Sequence, residues 1–326
     1  MKIFIKSYNS KLEILNNNKN QILIKNTLIS LIIVSFIKGG IIYREKKSFF
    51  FDILQKLFKI PYLYGEIDNI TDFENHYAKI KKYEIPVLMY HQFVKNKNEG
   101  GKIKLFVTKK QFEIHLKILK FLGYETITFE ELEKLGLQNR FNKKYIILTV
   151  DDGYKDNYEI LFPLLKKYKM KAVIFLVSGL DHNEWTMKSN GEKRFDLLTD
   201  EQIKEMLESR LIEFGGHTLT HISFKEVNDE KAKYEIVEDK KITEKRLGKK
   251  IITFAYPYGH RKEETKKLIK ENGYIFGVST DTGSGIFTED LYDIRRIAID
   301  KTSLFDFFRK ISPRYAQYKA KKYGNK

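Results

Sequence analysis

Tyr145-Ile146-Ile147-Leu148-Thr149-Val150-Asp151-Asp152-Gly153 is the stretch that decides how the rest of the chain is read. An apolar strand runs without a break into two carboxylates and a glycine. Three other segments behave the same way. Ile212-Glu213-Phe214 leads into Gly215-Gly216-His217-Thr218-Leu219-Thr220-His221. Ile251-Ile252-Thr253-Phe254-Ala255 leads into Tyr256-Pro257-Tyr258-Gly259, and Val87-Leu88-Met89-Tyr90 leads into His91. Polar clusters recur where strands end.

Helical patterns separate these strands. One is capped by Thr108 and closed by Gly123; others run over 130–137, 158–168, 200–207, 230–247 and 263–272, with a last one from Ser303. Further strands are expected at 126–129, 172–177, 274–278 and 294–299. Repeated strand–helix units imply a parallel sheet. Their number between residues 84 and 312 suits a (β/α) barrel, seven-stranded and distorted, better than an open sheet. In such a barrel every strand opens its C-terminal end on one face, and that face carries the site. Four separate clusters thereby meet at one mouth.

The 326 residues allow one or two domains and a large core. Cysteine is absent, which excludes disulfides, thiolate metal sites and a cysteine nucleophile. Any metal must therefore sit on His, Asp or Glu. The net charge of +17 comes from lysines spread along the whole chain, with no nucleic-acid-binding motif, so no nucleic-acid partner is expected. Residues 1–83 differ from the rest. They are basic and contain the apolar run Leu28–Ile37, short of the ~20 residues of an ideal membrane span. With Lys25 and Lys38 snorkelling, residues 21–43 would just cross a bilayer. An uncleaved anchor is the preferred reading over a cleaved signal peptide or an interfacial helix. Residues 49–58 read as an amphipathic helix for a membrane surface. A membrane-associated, cell-envelope location is expected, on a face the sequence leaves open. Residues 313–326 read as a basic tail.

His217 and His221 stand four apart, which in a helical turn points both imidazoles one way, as two metal ligands require. The spacing alone does not separate this pair from chance. Adjacent residues leaving a strand point differently, so one of Asp151 and Asp152 can bind a metal while the other faces the substrate. A metal hydrolase needs that pairing of ligand and base.

Taken together and in order, Leu148–Gly153, His217–His221 and Phe254–Gly259 resemble the polysaccharide deacetylases of carbohydrate esterase family 4. The opening Pro86-Val87-Leu88-Met89-Tyr90-His91 is similar to the circularly permuted branch that deacetylates poly-N-acetylglucosamine. The resemblance covers residues 84–312. It implies one divalent ion, commonly zinc, on Asp152, His217 and His221. It also implies Asp151 as general base, His91 as the acid that protonates the departing amine, and the Tyr258 backbone N–H as an oxyanion donor. The implied partner is an N-acetylated glycan, with no obligate protein partner.

The chain departs from the family where Ala255 stands in place of an arginine that orients the base. Arg296 is the candidate substitute, against an ordinary strand-end arginine. Asp281 follows a strand and is a candidate for tuning a histidine, or a turn cap. Trp185, the only tryptophan, lies in the loop 178–198 and reads equally as a sugar-stacking residue or a packed anchor. His76, His115, His182 and His260 are expected to have no catalytic role. The rival readings are an enzyme acting on a lipid-linked sugar or peptidoglycan, a relative cleaving a C–N bond outside carbohydrates, and a non-catalytic binder of anionic polymer. The intact carboxylate–histidine set argues against the last, because a binding module needs no base beside a metal triad.

Overall fold

The structure, a computed structural model, describes residues 85–136, 144–280, 290–300, 302–312 and 315. The expected anchor, the helix at 49–58, His76, Asp281 and nearly all of the basic tail lie outside the described residues. Among the described residues no helix is long and apolar enough to cross a membrane.

Strands and helices alternate from residue 87 onwards. They are β1 (Val87–Tyr90), β2 (Gln92–Val94), β3 (Phe106–Thr108), α1 (Lys109–Phe121), β4 (Tyr124–Thr126), α2 (Phe129–Leu135) and β5 (Lys144–Val150). Then come α3 (Phe162–Tyr168), β6 (Ala172–Leu176), α4 (Glu184–Asn190), α5 (Asp200–Glu208), β7 (Ile212–Gly216) and α6 (Asp229–Leu247). The chain continues through β8 (Thr253–Ala255), α7 (Glu263–Glu271), β9 (Phe276–Val278), β10 (Ile297–Ala298) and α8 (Leu304–Lys310). Among the described residues, 303–309 fall in a different compact unit from 85–300. Within that stretch the Ser303 hydroxyl accepts from the Asp306 amide at 3.1 Å.

The main sheet is parallel, in the order β10-β1-β5-β6-β7-β8-β9, with β4 added beside β5. The residues leading into β10 close it. Ile294 and Gly277 bond at 2.9 Å, Ser279 and Ile294 at 2.8 Å, which ties this segment to β9. Two residues later Ile297 and Ala298 pair with Leu88 and Met89 of β1. Residues 294–298 are thus shared between two neighbours, and a seven-stranded barrel results. It is distorted as expected: β7 and β8 share the single register pair Gly216↔Phe254.

Local chemistry explains the elements. Strands β5, β6 and β7 are buried almost throughout, as covered parallel strands are. Helices α1, α2 and α5 each open with a reciprocal capping box: Thr108 with Gln111, Thr128 with Glu131, Thr199 with Gln202. Each cap contributes about 1 kcal/mol. Val87, Ile147, Val173, Phe175, Ala255, Phe276 and Val278 form the core cluster of the barrel. At one level of it Glu213 accepts from the Glu130 amide at 2.8 Å and from Thr253 at 3.2 Å.

Two differences from the sequence reading stand out. The loop 178–198 carries a helix, α4, and the helix expected over 158–168 begins with a wide π turn at 157–161. The short parallel pair β2–β3 was not legible in the sequence, because three-residue strands carry no usable periodicity.

Gly215 sits in β7 where a Cβ would press on Thr253 and lie 2.7 Å from the Phe175 ring. Overpacking of that kind costs about 1–3 kcal/mol. Gly215→Ala is therefore expected to lower the unfolding free energy by that much, read as a lower urea midpoint at unchanged slope. A midpoint equal to wild type would show that β7 has room it does not display.

Candidate metal and acid–base site

The mouth of the barrel is built by residues just past the strand ends, and its backbone is strained. Asp152 (φ 75), Thr218 (φ 67), His221 (φ 59) and Tyr258 (φ 59) all adopt the left-handed conformation that side chains disfavour. Such residues cost about 1–3 kcal/mol each and persist only where the surroundings impose them.

Three side chains converge there. Asp152 Oδ1 lies 3.4 Å from His217 Nε2 and 3.3 Å from His221 Nε2, and all three residues are buried. Asp152, His217 and His221 are the group among the described residues that could hold a metal ion. Among the described residues Asp152 Oδ1 is buried without a hydrogen-bond partner within bonding geometry. Burial opposes ionisation of Asp152, but the two imidazoles beside it win, and its carboxyl is held well below the usual range. Burial lowers the basicity of His221. Nδ1 of His217 meets the Ala255 carbonyl oxygen at 2.7 Å. Donation from Nδ1 to that carbonyl orients the ring with Nε2 towards Asp152. The turn itself is held from behind by α6. The Thr220 amide and hydroxyl both donate to the fully buried Glu235 carboxylate, each at 2.8 Å.

Asp151 points elsewhere. It is gripped by Arg296 in a bidentate fork, Nη1 to Oδ1 at 2.5 Å and Nη2 to Oδ2 at 2.7 Å. Arg296 is fully buried. Its Nε donates to the Ser279 carbonyl at 2.6 Å, its Nη1 also reaches Thr149 Oγ1 at 3.1 Å, and its guanidinium lies over the Phe175 ring. Burial alone would raise the Asp151 pKa; the guanidinium outweighs it and keeps the carboxyl below its ordinary value. Of the two sequence readings of Arg296, the substitute for the missing arginine at Ala255 matches this geometry. The small Ala255 side chain belongs to the same core, and the guanidinium enters from the segment that closes the barrel.

His91 bridges two carboxylates. Its Nε2 lies 3.8 Å from Asp151 Oδ2, and its Nδ1 lies 3.3 Å from Asp300 Oδ2. The His91 carbonyl accepts from Asn157 Nδ2 at 3.1 Å, which fixes the end of β1 against the residues after Gly153. Burial disfavours the imidazolium, but Asp300 and then Asp151 and Asp152 prevail, and the pKa rises to about 9. Asp300 is the residue that the sequence reading missed. It lies two residues past the end of β10, close to a strand end as Asp151 is to the end of β5, so the strand-end rule could have found it. Asp281, the residue proposed for such tuning, lies outside the described residues.

Trp185 and Tyr258 complete the mouth. Trp185 is only 9% exposed and stacks on His221 with ring centroids 4.5 Å apart. It packs with Tyr154, Val177 and Leu197, so it is an anchor and not an open sugar platform. The Tyr258 ring is 48% exposed and meets His221 edge-on at 4.7 Å. Burial and the Asp152 charge push its hydroxyl up to about 12, so it stays neutral. Among the histidines set aside, His115 is buried beside Tyr90 and its basicity is lowered by burial to about 3. His260 pairs with Ser223 at 2.8 Å, and His182 with Asp181.

Comparison with known proteins follows the same lines. Residues 138–277 match the polysaccharide deacetylase family. YxkH of Bacillus subtilis (strain 168), a polysaccharide deacetylase by name, is 33% identical over 220 residues, which are 67% of this chain and 72% of that protein. The poly-beta-1,6-N-acetyl-D-glucosamine N-deacetylase of Staphylococcus aureus (strain N315) is 28% identical over 254 residues, covering 72% of this chain and 84% of that protein. Among solved structures, the Streptococcus pyogenes deacetylase PplD in complex with acetate superposes with a TM-score of 0.59 at 28% identity. It covers 74% of this chain and 99% of its own.

The raised pKa of His91 has a definite sign. An imidazole bound more tightly to its proton when folded adds stability that is fully present below its unfolded value, about 6.5, and is lost as pH rises through about 9. In metal-free protein the His91 ring should titrate near 9 by NMR, and Asp300→Asn should bring it back towards the ordinary value. A divalent ion at Asp152 would offset the pull of Asp151 and Asp152 and leave the part owed to Asp300. An unchanged titration in Asp300→Asn would remove Asp300 from this role.

Proposed function

This chain belongs to the polysaccharide deacetylase family, a family of hydrolases that cleave N-acetyl amide bonds, and we propose that it deacetylates amino-sugar residues of a surface or matrix polysaccharide. We propose further that it does so with one divalent ion, zinc, on Asp152, His217 and His221. One observation carries the reading. A buried carboxylate oxygen faces two imidazole Nε2 atoms, beside a second carboxylate forked by a buried guanidinium and a third imidazole set between two carboxylates.

The donor set fits the ion. Two imidazole nitrogens and one carboxylate oxygen are a usual zinc complement for catalysis, with coordination positions left open. When bound, the ion supplies Lewis acidity that acidifies water and polarises the amide carbonyl.

The chain's own groups do the rest. Asp151, kept ionised by Arg296, takes a proton from the attacking water. His91, kept protonated by Asp300, gives its proton to the nitrogen that leaves as the amine. An amide nitrogen is a poor leaving group until it is protonated, so the acid is as necessary as the base. The Tyr258 backbone N–H donates to the developing oxyanion. Its half-exposed ring stands beside His221 at the mouth, where a pyranose would arrive.

The glycan assignment is supported by the Staphylococcus aureus relative, which acts by its name on poly-beta-1,6-N-acetyl-D-glucosamine. The apolar run at 28–37 suits an enzyme tethered to the membrane at the cell envelope, near a nascent or anchored polymer.

Chelation should abolish release of acetate from an acetylated oligosaccharide, and added zinc should restore it. Loss of activity without loss of metal would count against the ion's role. Asp151→Asn keeps the shape but removes basicity, and should slow turnover by about 10²–10⁴ with metal content near normal. His91→Ala should cost a similar factor on the amide and much less on an activated ester, whose leaving group needs no proton. Equal slowing on both would make His91 a positioning group. A chain starting near Tyr83 should leave the membrane fraction and retain activity on short oligosaccharides. Unchanged partitioning after that truncation would refute the tether.

A further inference from the structure

The two histidines of the triad are oriented by different means. A metal-binding imidazole commonly donates its second N–H to an oxygen acceptor, which fixes the ring plane and the tautomer. His217 does so through Nδ1 and the Ala255 carbonyl at 2.7 Å. Among the described residues His221 has no such acceptor, and its Nδ1 is buried without a hydrogen-bond partner. Two aromatic rings hold it instead. The Trp185 indole lies face to face with it, centroids 4.5 Å apart and planes at 20°, and the Tyr258 ring meets it edge-on at 4.7 Å and 77°.

The indole is itself firmly set. It packs with Tyr154, Val177 and Leu197. Its helix α4 starts from the fully buried Asn183, whose side chain donates to the Lys193 carbonyl at 2.9 Å and accepts from the Phe195 amide at 2.7 Å. The loop is thereby closed on itself, and the indole has one face turned to the imidazole.

We infer that Trp185 is the positioning residue for His221, its indole face fixing the ring plane that a carbonyl fixes for His217. The inference rests on the metal reading of Asp152, His217 and His221. It assigns Trp185 to the metal side of the site and gives the loop 178–198 a reason to be helical. A flat face in van der Waals contact limits tilting of the imidazole while leaving Nε2 towards Asp152 Oδ1, 3.3 Å away.

Because Trp185 is the only tryptophan, tryptophan emission reports on the surroundings of this one indole. Zinc affinity is measured by competition with a chromophoric chelator for wild type, Trp185→Phe and Trp185→Leu, with circular dichroism to confirm folding. Trp185→Phe keeps a flat face and should stay within about threefold of wild type, while Trp185→Leu should bind about tenfold more weakly. Wild-type emission should change on zinc addition and saturate at one equivalent. Wild-type affinity in a folded Trp185→Leu would overturn the inference. Should the Leu variant not fold, the emission decides: no change at a saturating stoichiometric ion would overturn it equally. Failure of wild type to bind zinc at all would instead overturn the metal reading, and this one with it.

Discussion

The fork between Arg296 and Asp151 is the interaction on which the rest of the mouth depends. Both groups are out of water, so neither is tolerable alone. Removing one partner of such a pair costs about 3–5 kcal/mol, because the other charge is stranded. The pair survives because its remaining polar atoms are also satisfied, by the Ser279 carbonyl and the Thr149 hydroxyl. With Asp151 fixed as an anion, a cation beside it is favoured, and His91 fills that place under the further pull of Asp300. Charges therefore alternate in sign across the proton-handling side of the site.

The metal side is built on a different economy. Here the cost lies in backbone conformation: Asp152, Thr218, His221 and Tyr258 all occupy left-handed φ. That strain is tolerated because the turn is fastened from outside by Glu235 and from inside by the Ala255 carbonyl. Positive φ at Asp152 also turns it away from Asp151, so two adjacent carboxylates serve separate partners.

Much of this was legible in the sequence, and the reasons are local. Apolar runs ending in polar residues mark parallel strands entering one mouth, which groups the segments carrying His91, Asp151, Asp152, His217, His221 and Tyr258; their separate roles come from the family resemblance. What the sequence left open depends on contacts between residues far apart in the chain. The contact between Arg296 and Asp151 depends on closure of the barrel, which no periodicity reports. Asp300 was passed over for Asp281 because both follow strands, and the choice turns on which strand neighbours β1. Trp185 read two ways because its burial is set by residues on other segments. A strand is expected at 294–299, but nothing in the sequence says that this segment is shared between two neighbours.

That shared strand has a consequence for assembly. Asp151 and Arg296 are 145 residues apart, and their contact exists only once residues 294–298 have entered the gap between β9 and β1. Contacts of such long range form late, since the intervening chain must first be ordered. A partly folded chain, or one emerging from the ribosome without its last segment, carries Asp151 beside the metal residues but lacks the guanidinium that keeps it ionised. Burial would then favour the neutral acid, which accepts no proton. On the proposed role of Asp151 as base, competence to hydrolyse would arrive with the last stave of the barrel.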